Sequence, residues 1–282
     1  MIRRRIAQQP VSRLAIWARR IALFSLAATF IAVIIVRSGA LDIVPALSTL
    51  AGALLLAVIA ILLAFAAGVV IWREGAGGFQ QALVAFVIGV ALIAYPAYVG
   101  VKAYKLPAIY DVTTDAIDPP RFEAIARLRP RDANPVTYAG LYTAELQHAA
   151  YSDIEPDVTD SAPLDAYNAA LKVVTKRKWH IVDARPPQPP REGRIEAIAR
   201  TPILGFRDDV VVRVRAAADG ARIDVRSASR YGRHDLGANA ARVRALIEDI
   251  DDTLAAGQPE KGEKKPAPAK PIQGGKGTSA RR

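Results

Sequence analysis

Three uncharged apolar runs stand in the first hundred residues, at 21–36, 43–72 and 79–101, with only a few residues between them. A helix needs about 20 predominantly apolar residues to cross the hydrocarbon of a bilayer. The second and third runs exceed that length. The first reaches it if Arg37 snorkels and the run continues to Leu41. A single such run could be a buried soluble helix, but three in close succession predict a transmembrane region over 21–102. A cleaved signal peptide does not fit, because the first run lies behind twenty residues holding six arginines and two longer runs follow it.

The net charge of +11 is unevenly spread. Residues 1–102 carry nine Lys or Arg against two Asp or Glu, residues 103–258 carry 22 against 23, and residues 259–282 carry seven against two. The basicity therefore belongs to the two ends. A nucleic-acid-binding domain would carry its charge on the folded part, so no nucleic-acid partner is expected. Arg3, Arg4, Arg5, Arg13, Arg19 and Arg20 all precede the first run, while each linker holds a single arginine, Arg37 or Arg73. The positive-inside bias then puts the basic N-terminus, 1–20, in the cytoplasm and everything after Val101 across the membrane. Lys102 and Lys105 pull weakly the other way. Trp17 and Trp72 fall at one interface and Tyr95 and Tyr98 at the other, as an aromatic belt prefers. The centres of the runs contain no ionisable residue, which counts against an ion-coupled pump. Ala64 and Gly68 form a small-xxx-small pair. The 75–78 link is rich in glycine but lies outside any strand-to-helix unit, so it does not read as a phosphate loop.

Residues 103–258 are enough for one soluble domain with its own core. The stretch 105–120 reads as an extended tether, 121–128 as a short helix and 130–160 as mostly irregular chain. Ser161 is expected to cap a helix with the stripe Leu164, Tyr167, Leu171 and Val174. Strands follow at 179–184, 194–200, 208–216 and 222–228. Val210, Val212, Val214, Ile223 and Val225 alternate onto one face. Asp219-Gly220 signals a hairpin turn. Asp235 caps a last helix with the stripe Leu236, Ala240, Val243, Ile247, Ile250 and Leu254. The expected fold is α+β: a mostly antiparallel four-stranded sheet covered by helices on one face. The tail, 259–282, reads as disordered from its Lys, Pro, Gly and Ala content.

Several ordered blocks of this domain resemble one family. They are Asp111-Val112-Thr113-Thr114-Asp115 with Asp118-Pro119-Pro120-Arg121-Phe122; Tyr151-Ser152-Asp153-Ile154-Glu155-Pro156; Trp179; Gly193-Arg194-Ile195-Glu196-Ala197; Gly205-Phe206-Arg207-Asp208-Asp209-Val210; and Asp224-Val225-Arg226-Ser227-Ala228-Ser229-Arg230 through Gly232 to Asp235-Leu236-Gly237-Ala238-Asn239. Over about 105–255 the chain is similar to the domain of unknown function 1499 family, in its subgroup with N-terminal membrane helices. The resemblance implies a fold and a boundary rather than a reaction. Many members carry Asn-Cys-Val-Ser where this chain has Asn134-Pro135-Val136-Thr137. A role depending on that cysteine cannot operate here.

With no cysteine anywhere, disulfides, thiolate metal sites and a thiol nucleophile are excluded. No metalloprotease, nucleophile-elbow, phosphate-loop or calcium-loop motif occurs, and neither a cofactor nor a metal is expected. His148 with Asp153, Glu155 and Asp157 reads as a hydrated acidic loop rather than a metal site. If Asp219 and Gly220 are the two turn residues, Arg215 faces Asp224 and Arg213 faces Arg226. Like charges directly opposite are destabilising, so an acid must intervene. Glu196, on the neighbouring strand, would close an ion-pair lattice. A bound anion could do so instead, with Arg213, Arg226, Arg230, Arg233 and Asn239 as its candidate ligands and the last helix N-terminus assisting. An envelope hydrolase would require Asp208, Asp209, His234 and Asp235 to converge. The expected function is a periplasmic binding or scaffolding domain on an inner-membrane anchor. Its expected partners are the lipid bilayer and an anionic envelope ligand or membrane-protein partner.

Overall fold

The apolar runs form three helices, Arg13–Ser38 (α1, 26 residues), Ile43–Glu74 (α2, 32) and Phe79–Lys105 (α3, 27), each long and apolar enough to cross a membrane. The computed structural model describes residues 10–188 and 190–257, so residues 1–9 of the basic N-terminus and the 259–282 tail lie outside the described residues. Each helix extends past its apolar run at one or both ends, and α1 already begins at Arg13. The helices meet through small side chains: Ala18, Ala22, Ala60, Ala64 and Ala85 are buried together. Phe24, Phe30, Leu62, Phe65 and Trp72 face outward and are more than half exposed. Aqueous folding would favour the reverse arrangement, whereas helices packing in lipid meet through small residues. A Cβ on Gly89 would lie 2.5 Å from Ile61 Cγ1, so this glycine sets the close approach of α3 to α2. Ala64 belongs to the contact, but Gly68 faces open space.

The soluble part contains β1 (Asp111–Thr113), α4 (Ala124–Leu128), α5 (Leu141–Ala150), β2 (Asp157–Thr159), α6 (Pro163–Lys176), β3 (His180–Arg185), β4 (Gly193–Arg200), β5 (Arg207–Ala217), β6 (Gly220–Ser229) and α7 (Ala238–Gly257). The four expected strands are present, within one or two residues at each end, in an antiparallel sheet of α+β type. Two short strands enlarge it to six: the order is β1-β6-β5-β4-β3, with β2 beside the other half of β6. The expected tether is therefore partly β1, and the expected irregular stretch holds α5 and β2. The helix expected from Ser161 begins at Pro163 without a side-chain cap. Proline suits a helix's first turn because its missing N–H would be unpaired there.

The hairpin register differs from the expected one by two residues. Ala217 pairs with Gly220, so Ala218 and Asp219 form the turn. Gly220 has φ +152° and a Cβ there would fall 2.1 Å from the Thr159 carbonyl oxygen. β2 crosses this point, and only glycine leaves room for it. The alternation of Val210, Val212, Val214, Ile223 and Val225 onto one face is as expected. That face packs on α6 and α7 through Ala166, Tyr167, Ala170, Val173, Val174, Ala240, Val243, Leu246 and Ile250. The opposite face is also covered, by α4 and the chain around it, with a small apolar cluster of Phe122, Ile125, Val211 and Ala228.

The domain is joined to the helix ends at two places besides the chain itself. Arg37, at the end of α1, donates from Nη1 to the carbonyls of Pro202 (2.5 Å) and Ile203 (3.3 Å). His234 Nδ1 accepts the Leu236 N–H (2.9 Å), which places its proton on Nε2. That nitrogen lies 3.0 Å from the Ala103 carbonyl and 3.1 Å from that of Leu106, at the exit of α3.

Candidate functional site

The second face of the sheet is a buried charged layer. Arg213 lies opposite Asp224, Arg215 opposite Arg222, and Arg226 opposite Val211. The expected Arg213–Arg226 opposition thus does not exist; the like-charged pair of this hairpin is Arg215–Arg222, and across β4–β5 Arg213 lies opposite Arg194. Asp224 is fully buried and accepts from Arg213 Nε (3.0 Å), Arg215 Nη2 (2.9 Å) and Arg222 Nε (2.9 Å). Two acids from the expected tether complete the group. Asp115 Oδ2 takes Arg222 Nη2 at 2.7 Å, with Arg213 and Arg215 farther away, and Asp118 Oδ2 takes Arg213 and Arg215. Burial pushes the Asp115 carboxyl up, but the N–H groups of Asp118 and Ile117 and the nearby guanidiniums outweigh it. The net result is a pKa below the ordinary aspartate value.

Arg226 is 2% exposed and holds Asp111 in a two-pronged pair, Nε to Oδ1 at 2.9 Å and Nη2 to Oδ2 at 2.7 Å. Its remaining donors reach the carbonyls of Pro120 and Val136, and its guanidinium lies 4.7 Å from the Phe122 ring centre and 5.5 Å from that of Tyr138. The Asn134–Thr137 stretch, where the resemblance expects a cysteine, thus supplies a backbone acceptor to this arginine. Burial pushes the Asp111 carboxyl up and Arg226 pulls it back. Burial also pushes the Tyr138 phenol up to about 12.

Glu196 does not meet these arginines. It is fully buried and accepts from the backbone N–H groups of Glu123 (2.8 Å), Ala124 (3.2 Å) and Ile125 (2.8 Å). A carboxylate is favoured there because the first N–H groups of a helix have no partner within it. The acids that balance the arginines are Asp111, Asp115, Asp118, Asp209 and Asp224. Three of them lie in the segment read as a tether, about a hundred residues from their partners, and only its run of acids hinted at the role.

The proposed hydrolytic residues divide between the two faces. Asp208 points toward α7 and pairs with Arg242 at 2.5 Å. Asp209 points the other way, to Arg129 (2.6 Å) and Arg230 (2.8 Å). His234 is engaged with α3. Asp235 caps α7, accepting the N–H groups of Gly237 (2.9 Å) and Asn239 (2.8 Å). Burial raises its pKa; those N–H groups oppose the shift and the Asp208 carboxylate adds to it. Asn239, also fully buried, accepts from Ser227 Oγ and donates to the Tyr110 carbonyl and Ser229 Oγ. Arg233 stands exposed. Asp153, from the acidic loop, pairs with Arg244. Among the described residues no group of three or more His, Asp or Glu side chains is placed to hold a metal ion.

The block from Asp224 to Asn239 that carries the strongest resemblance supplies much of this network: Asp224 gathers Arg213, Arg215 and Arg222, Arg226 holds Asp111, Arg230 holds Asp209, Asp235 caps α7, and Asn239 ties that helix to Ser227, Ser229 and Tyr110. These features define a chain with three membrane-length apolar helices carrying an α+β domain whose sheet buries ion pairs on one face. Residues 111–250 match the family model described as "Protein of unknown function (DUF1499)", and the α+β domain belongs to that family. The chain matches no curated protein and no solved structure.

Proposed function

We propose that this is a multi-pass inner-membrane protein of the bacterial envelope whose α+β domain binds or scaffolds another envelope component from the periplasmic side. The observation that carries this reading is the double attachment of the domain to the helix ends, through Arg37 on the carbonyls of Pro202 and Ile203 and through His234 on those of Ala103 and Leu106. A domain fixed in this way presents a constant surface at the membrane, as a binding platform requires. The arginines preceding α1 support a cytoplasmic N-terminus, and three crossings then put the domain outside. A hydrolase built on Asp208, Asp209, His234 and Asp235 would have to draw on both faces of the sheet at once. A phosphatase reporter fused after Leu254 is expected to be active and a cytoplasmic fluorescent reporter at the same site dark. The reverse pattern would overturn the orientation and the envelope role together.

A further inference from the structure

Where the domain meets the link between α1 and α2, a cavity of about 230 Å³ opens. Four arginines line it: Arg37 from the end of α1, Arg200 from β4, Arg207 from β5 and Arg230 just after β6. Asp42 and Asp132 are the lining carboxylates. Arg200 and Arg207 oppose each other directly across the β4–β5 ladder. Both are exposed, and neither guanidinium makes a hydrogen bond or ion pair with another described residue. Arg37 donates to carbonyl groups, which leave its charge uncompensated. Arg230 shares the single carboxylate of Asp209 with Arg129, so that group of three retains a positive charge. In the charged layer one like-charged pair, Arg215 and Arg222, is closed by Asp115 and Asp224. Here the pair Arg200 and Arg207 is left open.

We propose that this cavity binds the phosphate of an anionic membrane lipid headgroup. The inference rests on the reading that α1 to α3 cross the membrane, because that reading places Arg37 at the level of the lipid phosphates. Guanidinium forks match phosphate oxygens in geometry and charge. The volume is below the roughly 300–1,000 Å³ of pockets for drug-sized ligands, so it suits a headgroup rather than a whole lipid. An anion between Arg200 and Arg207 would relieve their mutual repulsion.

The test uses the full chain in neutral detergent, with thermal unfolding followed as short-chain phosphatidylglycerol, short-chain phosphatidylcholine or inorganic phosphate is added. The wild type is expected to show a saturable rise in Tm with phosphatidylglycerol and little with the other two. Replacing Arg200→Gln and Arg207→Gln together is expected to leave the lipid-free Tm equal or higher and to weaken half-saturation at least about tenfold, as for lost charge-assisted hydrogen bonds. A control pair, Arg127→Gln with Arg191→Gln, removes the same charge elsewhere and should respond as the wild type does. An equal response from the cavity variant would overturn the site. An equal response of the wild type to inorganic phosphate would overturn the lipid assignment. Release of the wild-type chain from membranes by alkaline carbonate would instead defeat the membrane reading, independently of the cavity.

Discussion

Toward α6 and α7 the sheet presents Ile195, Val210, Val212, Val214, Ile223 and Val225; toward the 111–138 segment the same strands present Arg194, Glu196, Asp209, Arg213, Asp224 and Arg226. Both sets are buried. The apolar face gains stability from area removed from water, needs no particular partner atom and tolerates small changes of shape. Every ion on the other face must meet a counter-charge or donor, because an unpaired charge in the interior costs several kcal/mol. The first face thus depends on volume and the second on which residues meet.

That contrast can be broken most forcefully at Asp209. It is the carboxylate of both Arg129 and Arg230, whose side chains are each 3% exposed. Asp209→Ala should cost about 5 kcal/mol, the upper end for breaking a buried pair, read by chemical unfolding of the full chain in detergent. Glu196→Gln should cost about 1–3 kcal/mol, because three backbone N–H groups donate to its two carboxylate oxygens and the amide keeps a single acceptor oxygen. Ile223→Val on the apolar face should cost only about 0.5–1.5 kcal/mol. If the Ile223 substitution proved worse than that of Asp209, the contrast between the faces would be wrong.

The same difference explains what was legible in the sequence. The apolar runs and the alternation of Val210, Val212, Val214, Ile223 and Val225 are local patterns, and the helices and central strands follow from them. Arg226 meets Asp111 across 115 residues and Arg129 meets Asp209 across 80. Nothing in a local window shows such pairings. β1 and β2 have three residues each and no apolar alternation of their own, so their pairing with β6 appears only in the assembled sheet. Gly220 sits in β6 beside Thr159 rather than in the turn, so the expected Arg213–Arg226 opposition, built on Asp219-Gly220 as the turn, does not hold. Glu196 reads in the sequence as a candidate counter-charge for Arg213 and Arg226, but its partners are backbone N–H groups.

The smallest effect lies outside both faces, where Asp251 in α7 neighbours Asp157 in β2. Burial, then the Asp157 carboxylate, raise the Asp251 pKa from 3.8 to about 6. The folded state therefore holds this proton more tightly than the unfolded chain does. The resulting stability is fully present below about pH 4 and is lost as pH rises through about 6. Asp251→Asn should flatten this part of the Tm-versus-pH profile and raise Tm slightly above pH 7. An unchanged slope would show that the two carboxyls do not interact.

The charged layer as a closed structural device is tested most directly at Arg226 and Asp111, by chemical unfolding of the full chain carrying Arg226→Met, Asp111→Leu or both. Each single change leaves a buried charge without its partner and should cost about 3–5 kcal/mol, whereas removing both together should recover more than half of that loss. If Arg226→Met alone left the ligand-free protein as stable as the wild type, or more so, the guanidinium would not be held by Asp111 for the sake of the fold, and the account would be contradicted.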